Sequence, residues 1–144
     1  MSITDLYLPD IDRVKTKKAV EAAIGKYRMY LLTLSLDRMP KITQSCLFVP
    51  AITIKSSHSS TESAAIANVD YENERIDNIN RMVNAVNRLS SLERTIMISR
   101  YLEKEDVYDY QLYNKLLISE RKYYRIKARA FLKLALALGI EQYK

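Results

Sequence analysis

The chain has 144 residues, with 23 Lys and Arg against 17 Asp and Glu and a formal net charge of +6. That length holds one ordinary core or two small ones sharing an interface, too little for an elaborate enzyme, and the basic balance points toward a polyanionic partner wherever the charge is concentrated. Two glycines and three prolines leave long stretches free to be helical and exclude a glycine-rich phosphate loop, while the lone Cys46 excludes an internal disulfide or a cysteine zinc cluster.

The expected class is therefore all-α. An N-terminal helical hairpin with a long connecting loop is expected over 1–89, and a three-helix helix-turn-helix unit over 90–144. The opening MSITDLYLPDID is acidic where a signal peptide is basic. No apolar run approaches the roughly 20 residues that cross a bilayer, so a cytoplasmic protein without membrane contact is expected.

From Asp12 to about Asp37, Val20, Ile24, Tyr27, Leu31 and Leu34 recur at steps of four and three, which places them on one helical face. The other face carries Lys15, Lys17, Lys18 and Arg28, either a solvated surface or a set of phosphate contacts. Between Met39 and about Ser60 the pattern breaks, with Pro40, Pro50 and SSHSS framing the β-branched run ITQSCLFVPAITI. A connection this long is either mobile, a small β-hairpin, or ordered by a partner. Cys46 reads as a small hydrophobe, and His58 as solvated, without positioned partners for metal binding or base catalysis.

Helical spacing returns from Thr61 to about Leu89, where Ile66, Val69, Ile76, Ile79, Val83 and Val86 form a seam. It is too short for a coiled coil, which needs three or four heptads, and it serves either packing on the first helix or dimerisation.

The third region opens with LSSLERTIMISRYL, in which Ser90 and Glu93 have capping-box spacing, so a helix starts near Ser91 and runs to the acidic EKED. A short helix follows in VYDYQLYNKLL. Ile118 then plugs a turn without the customary glycine, and Ser119 caps the next helix. That last helix, ERKYYRIKARAFLKLALAL, separates into two faces. Tyr123, Ile126, Ala130 and Leu134 form a core stripe, and Arg121, Arg125 and Arg129 line up opposite, flanked by Lys122 and Tyr124. From Phe131 onward it is apolar on nearly every side, which calls for cover by the N-terminal helices or by a second subunit. Gly139 fits the left-handed residue that ends it.

Arginine suits such a face because its planar fork donates two hydrogen bonds to guanine O6 and N7, or grips a phosphate. The expected DNA-contacting set is Ser119, Glu120, Arg121, Lys122, Tyr124, Arg125 and Arg129, joined by Lys115 from the preceding helix, with 119–133 as the recognition helix. Glu120 accepts from a cytosine N4 or pairs with the helix dipole. No catalytic residue, cofactor or metal is implied, since EKED has no histidine, cysteine or glycine-rich loop nearby.

The stretch SERKYYRIKARAFLKL resembles the final helix of sigma factor region four, matching at Ser119, Tyr123, Ile126, Ala130 and Leu134, with tyrosine at 123 where an aliphatic residue is usual. Most of the chain resembles the ArpU family of phage-encoded transcriptional regulators, on LSSLERTIMISRYL, ISERKYYRIKARAFLKLA, Tyr27–Arg28 and NVDYENERIDNINRMVNAV. The resemblance implies activation of phage late genes and DNA contacts at Arg121, Lys122, Tyr124 and Arg125. Two further readings stand beside it: a small terminase subunit working as a ring, and an adaptor that docks its cationic helix on RNA polymerase without specific DNA binding. Expected partners are double-stranded DNA, RNA polymerase and a second copy of the chain.

Overall fold

A computed structural model describes residues 10–34, 39–42, 48–49, 63–103, 105 and 107–144. The expected all-α architecture is what the chain adopts: α1 (Arg13–Leu31), α2 (Ser63–Asn87), α3 (Ser91–Met97), α4 (Asp109–Lys115) and α5 (Glu120–Leu138), with one minor β element. Lys41–Ile42 (β1) and Phe48–Val49 (β2) pair antiparallel, Lys41 opposite Val49, and β2 lies on α2. The hairpin expected as one use of the connecting segment is thus present at its base. Cys46, Pro50 and His58 lie outside the described residues, as do the side chains of Ile66 and Val69.

Asp12 caps α1, its Oδ1 accepting from Lys15 N at 3.0 Å. The helix stops at Leu31, short of the expected Asp37. Thr33 accounts for the early end: its hydroxyl donates to Tyr30 O at 2.7 Å, and the backbone tightens into turns in which Thr33 N and Leu34 N each reach back three residues. Leu34 is still buried, but from the turn rather than from the helix.

Two apolar clusters form. The larger unites Val20, Ile24 and Tyr27 of α1, Ile76, Ile79, Val83 and Val86 of α2, and Ala130, Phe131, Leu134 and Ala135 of α5. The seam residues Ile76, Ile79, Val83 and Val86 thus pack inside the chain, and the apolar end of α5 packs against the N-terminal helices. The smaller cluster is Ile96, Leu112, Tyr123 and Ile126, from α3, α4 and α5. Helix α5 belongs to both.

A single π-helical turn, Ile98–Leu102, extends α3 and closes with Glu103 N donating to Ile98 O at 3.0 Å. It turns Ile98 and Leu102 into the larger core, sets Tyr101 edge-on to Phe131 at 5.4 Å between ring centroids, and swings Arg100 toward α4. After α5, residues 140–144 double back on the start of α1. Asp12 N donates to Gln142 O at 2.8 Å, Lys144 N to Asp10 O at 3.1 Å, and the buried Thr16 hydroxyl both accepts from Gln142 N and donates to Gln142 O.

Candidate nucleic-acid interface

The α4–α5 connection is built from local chemistry. Gln111 Oε1 accepts from Tyr108 N at 2.9 Å to close the start of α4, and Ser119 Oγ accepts from Lys122 N at 3.2 Å to cap α5. Helix α4 ends in a Schellman turn: Ile118 N donates to Tyr113 O at 3.1 Å and Leu117 N to Asn114 O at 3.2 Å. The half-buried Ile118 meets Tyr113 in the smaller cluster and plugs the turn as its sequence position implies. The same motif ends α5, with Gly139 at φ 69° and Ile140 N donating to Ala135 O at 2.9 Å.

The missing turn glycine has a structural counterpart. Leu117 sits at φ 57°, a left-handed conformation, with its side chain almost wholly in solvent. A residue with a Cβ there costs about 1–2 kcal/mol, of which glycine would return roughly half after its own entropic loss. Leu117→Gly is therefore expected to raise stability by about 0.5–1 kcal/mol in urea unfolding. A lowered midpoint would mean that the leucine side chain itself supports the turn.

The inward stripe packs as expected, with Tyr123 and Ile126 in the smaller cluster and Ala130 and Leu134 in the larger. Tyrosine at 123 is accommodated because its hydroxyl has a partner: it donates to Asp109 Oδ1 at 2.5 Å. Asp109, the first residue of α4, also accepts from Lys127 Nζ at 3.1 and 3.2 Å and from Arg100 Nε at 3.3 Å. Burial opposes its ionisation, but the Tyr123 and Lys127 hydrogen bonds and the charges of Lys127 and Arg100 outweigh this and hold it below the usual carboxylate range. Burial and the bond to Asp109 push the Tyr123 phenol up, so it stays a donor. One carboxylate thus ties the π turn, α4 and α5 together.

A second carboxylate does the same for α3. The capping box is complete, Ser90 N donating to Glu93 Oε1 at 2.9 Å and Glu93 N to Ser90 Oγ at 3.4 Å. Glu93 is 2% exposed and receives Lys133 Nζ of α5 at 3.0 Å. Burial raises its pKa, the bonds from Ser90 and Lys133 and the Lys133 charge lower it, and the net is a depressed value.

Outward, the helix presents Ser119, Glu120, Arg121, Lys122, Tyr124, Arg125 and Arg129, all exposed, and Lys115 is exposed at the end of α4 beside the turn. Among the described residues no ion pair or hydrogen bond engages the side chains of Arg121, Arg125 or Arg129. The basic side chains that carboxylates neutralise here are Arg100, Lys127 and Lys133, from the π turn and the flanks of α5. Arg121 to Arg129 spans about 12 Å of helix axis. The Tyr124 ring stands edge-on to Tyr123 with centroids 5.2 Å apart and has Lys127 Nζ 5.6 Å from its centre. On α1, Lys15, Lys17 and Lys18 are exposed.

Sequence reading missed Asp109, Lys127 and the exposed, mutually stacked Tyr108 and Tyr110, whose ring centroids are 5.9 Å apart at the start of α4. Asp109 had one available signal, an acid in the first turn of a helix, but its partners lie up to 18 residues away. Among the described residues no helix is long and apolar enough to cross a membrane.

No family model matches the chain, and no solved structure does. Among curated proteins, Protein Gp66 of Listeria phage A118 is 27% identical over 132 residues, covering 92% of this chain and 90% of its own length. A protein of Listeria innocua described as the uncharacterized phage-related protein Lin1259/Lin1739 is 32% identical over 133 residues, which is 92% of this chain and 93% of that one. With that identity sustained across both chains from end to end, the protein belongs to the family of the phage-related protein Lin1259/Lin1739.

Proposed function

We propose that the chain is a non-enzymatic, sequence-specific DNA-binding transcription regulator of a phage or prophage, an activator of late genes of the ArpU type. Its C-terminal end reads promoter DNA in the manner of sigma factor region four, with α5 in the major groove. The observation that carries this reading is the line Arg121, Arg125 and Arg129, exposed along one side of a helix and free of carboxylate partners among the described residues, while the cations facing the body of the domain are paired. A cationic helix face kept for intramolecular stability would be expected to hold acidic neighbours. One left open, behind a capped N-terminus and a tight turn from a preceding helix, suits a polyanion whose groove admits a helix. The phage-related description of the relatives supports the setting.

Footprinting on the genome that encodes the protein tests this directly. One or a few protected promoter-proximal sites are expected. Even protection of any duplex, vanishing as salt rises, would remove sequence specificity from the proposal.

A further inference from the structure

Helices α1 and α2 and the C-terminal end of α5 line a half-open cavity of about 200 Å³, at the opposite end of α5 from the arginine line. Met82, Leu138 and Ile140 supply apolar wall, Lys26, Tyr27, Asn78 and Arg81 supply polar groups, and no acidic side chain lines it. Glu141 follows Ile140 in sequence but is not part of the lining, and its Oε1 accepts from the Tyr143 hydroxyl at 3.1 Å.

Tyr27 is 4% exposed, and its ring is one wall of the cavity. Burial pushes its pKa up, so it remains a donor at any working pH. The two cations are only lightly engaged. Lys26 Nζ stands 5.6 Å from the centre of the Tyr30 ring, and one Arg81 nitrogen reaches Leu138 O at 3.5 Å, leaving the rest of its donor fork available.

We propose that this cavity is a binding site for a small organic anion: an apolar body against Met82, Leu138 and Ile140, and a carboxylate received by Lys26 and Arg81 with the Tyr27 hydroxyl as a further donor. The volume is below the roughly 300–1,000 Å³ of pockets for drug-sized ligands, which restricts the occupant to about the size of benzoate. Lysine and arginine without an opposing acid select for negative charge, and the apolar wall selects against inorganic ions, which leave it wet.

Titration of the full-length protein with benzoate, followed by NMR, tests the site. A saturable perturbation is expected at Tyr27, Tyr30 and Met82. It should weaken at least tenfold in the double variant Lys26→Gln, Arg81→Gln, whose exposed side chains can be changed without touching the core, and severalfold in Tyr27→Phe. Acetate, which lacks the apolar body, and benzyl alcohol, which lacks the charge, should each bind at least tenfold more weakly than benzoate. Equal binding of benzyl alcohol and benzoate, an unaffected double variant, or the absence of saturable shifts would each overturn the proposal.

Discussion

Replacing Arg121, Arg125 and Arg129 together with alanine is expected to abolish specific duplex binding while leaving the fold intact. All three side chains are exposed, and surface changes of this kind usually move stability by no more than about 0.5 kcal/mol. Under the proposed DNA-binding function each would play one of two parts. An arginine bidentate to a guanine contributes about 1–3 kcal/mol of discrimination, and a phosphate contact steepens the dependence of log affinity on log salt by about 0.9. Single variants separate these parts. Arg125→Ala, near the amino end of α5, is expected to cost about 1–3 kcal/mol at the cognate site and little on a scrambled duplex. Arg129, nearly three turns from the cap, is the better placed for the backbone and should flatten the salt slope. Fluorescence anisotropy at several salt concentrations, with thermal melts as a folding control, reads both quantities. If the triple variant melts and binds like the wild type, the groove-reading role of this face is lost.

Removing the Asp109 carboxylate is expected to destabilise the unit by about 3 kcal/mol, because Asp109→Ala strands the Tyr123 hydroxyl, in a residue with no solvent exposure, and leaves Lys127 and Arg100 without their counter-charge. Asp109→Asn keeps an acceptor for Tyr123 and should cost less. The pH dependence follows from the direction of the shifts. Asp109 and Glu93 both have folded-state pKa values below their ordinary ones, so each contributes stability that is fully present above the unfolded value near 4 and is lost as pH falls through the folded value. Urea midpoints should hold level from about pH 8 to 5 and drop below about pH 4. In Asp109→Asn the acid drop should be shallower, since one of the two linked groups is gone. An acid limb identical in wild type and variant would show that Asp109 keeps an ordinary pKa in the fold.

What could be read from sequence was what adjacent residues decide among themselves. The Ser90–Glu93 box, the Ser119 cap, the Ile118 plug and the Gly139 terminus each depend on chemistry within about five residues, and all are where the sequence places them. Helical periodicity likewise located the stripe Tyr123, Ile126, Ala130 and Leu134, and the apolar continuation from Phe131 announced burial without naming its cover. Interactions across long separations left no local trace. Lys133 reaches Glu93 over 40 residues, and Thr16 meets Gln142 over 126. Leu117 was hidden for a different reason: glycine normally advertises a left-handed turn, and here a residue with a side chain takes the strain. The end of α1 was misjudged because Leu34 keeps the helical spacing although the Thr33 hydroxyl has already taken the Tyr30 carbonyl.

Because one helix runs through both apolar clusters, its packing among the N-terminal helices sets the direction of its arginine-bearing end. From Leu134 to Arg121 the arm is about 20 Å, so a tilt of roughly 5° where Phe131 and Leu134 are gripped displaces the guanidiniums by nearly 2 Å. Hydrogen bonds to base edges tolerate far less than that. If the helix reads a groove as proposed, whatever loosens or tightens the grip of α1 and α2 would act at a distance on how accurately it is aimed.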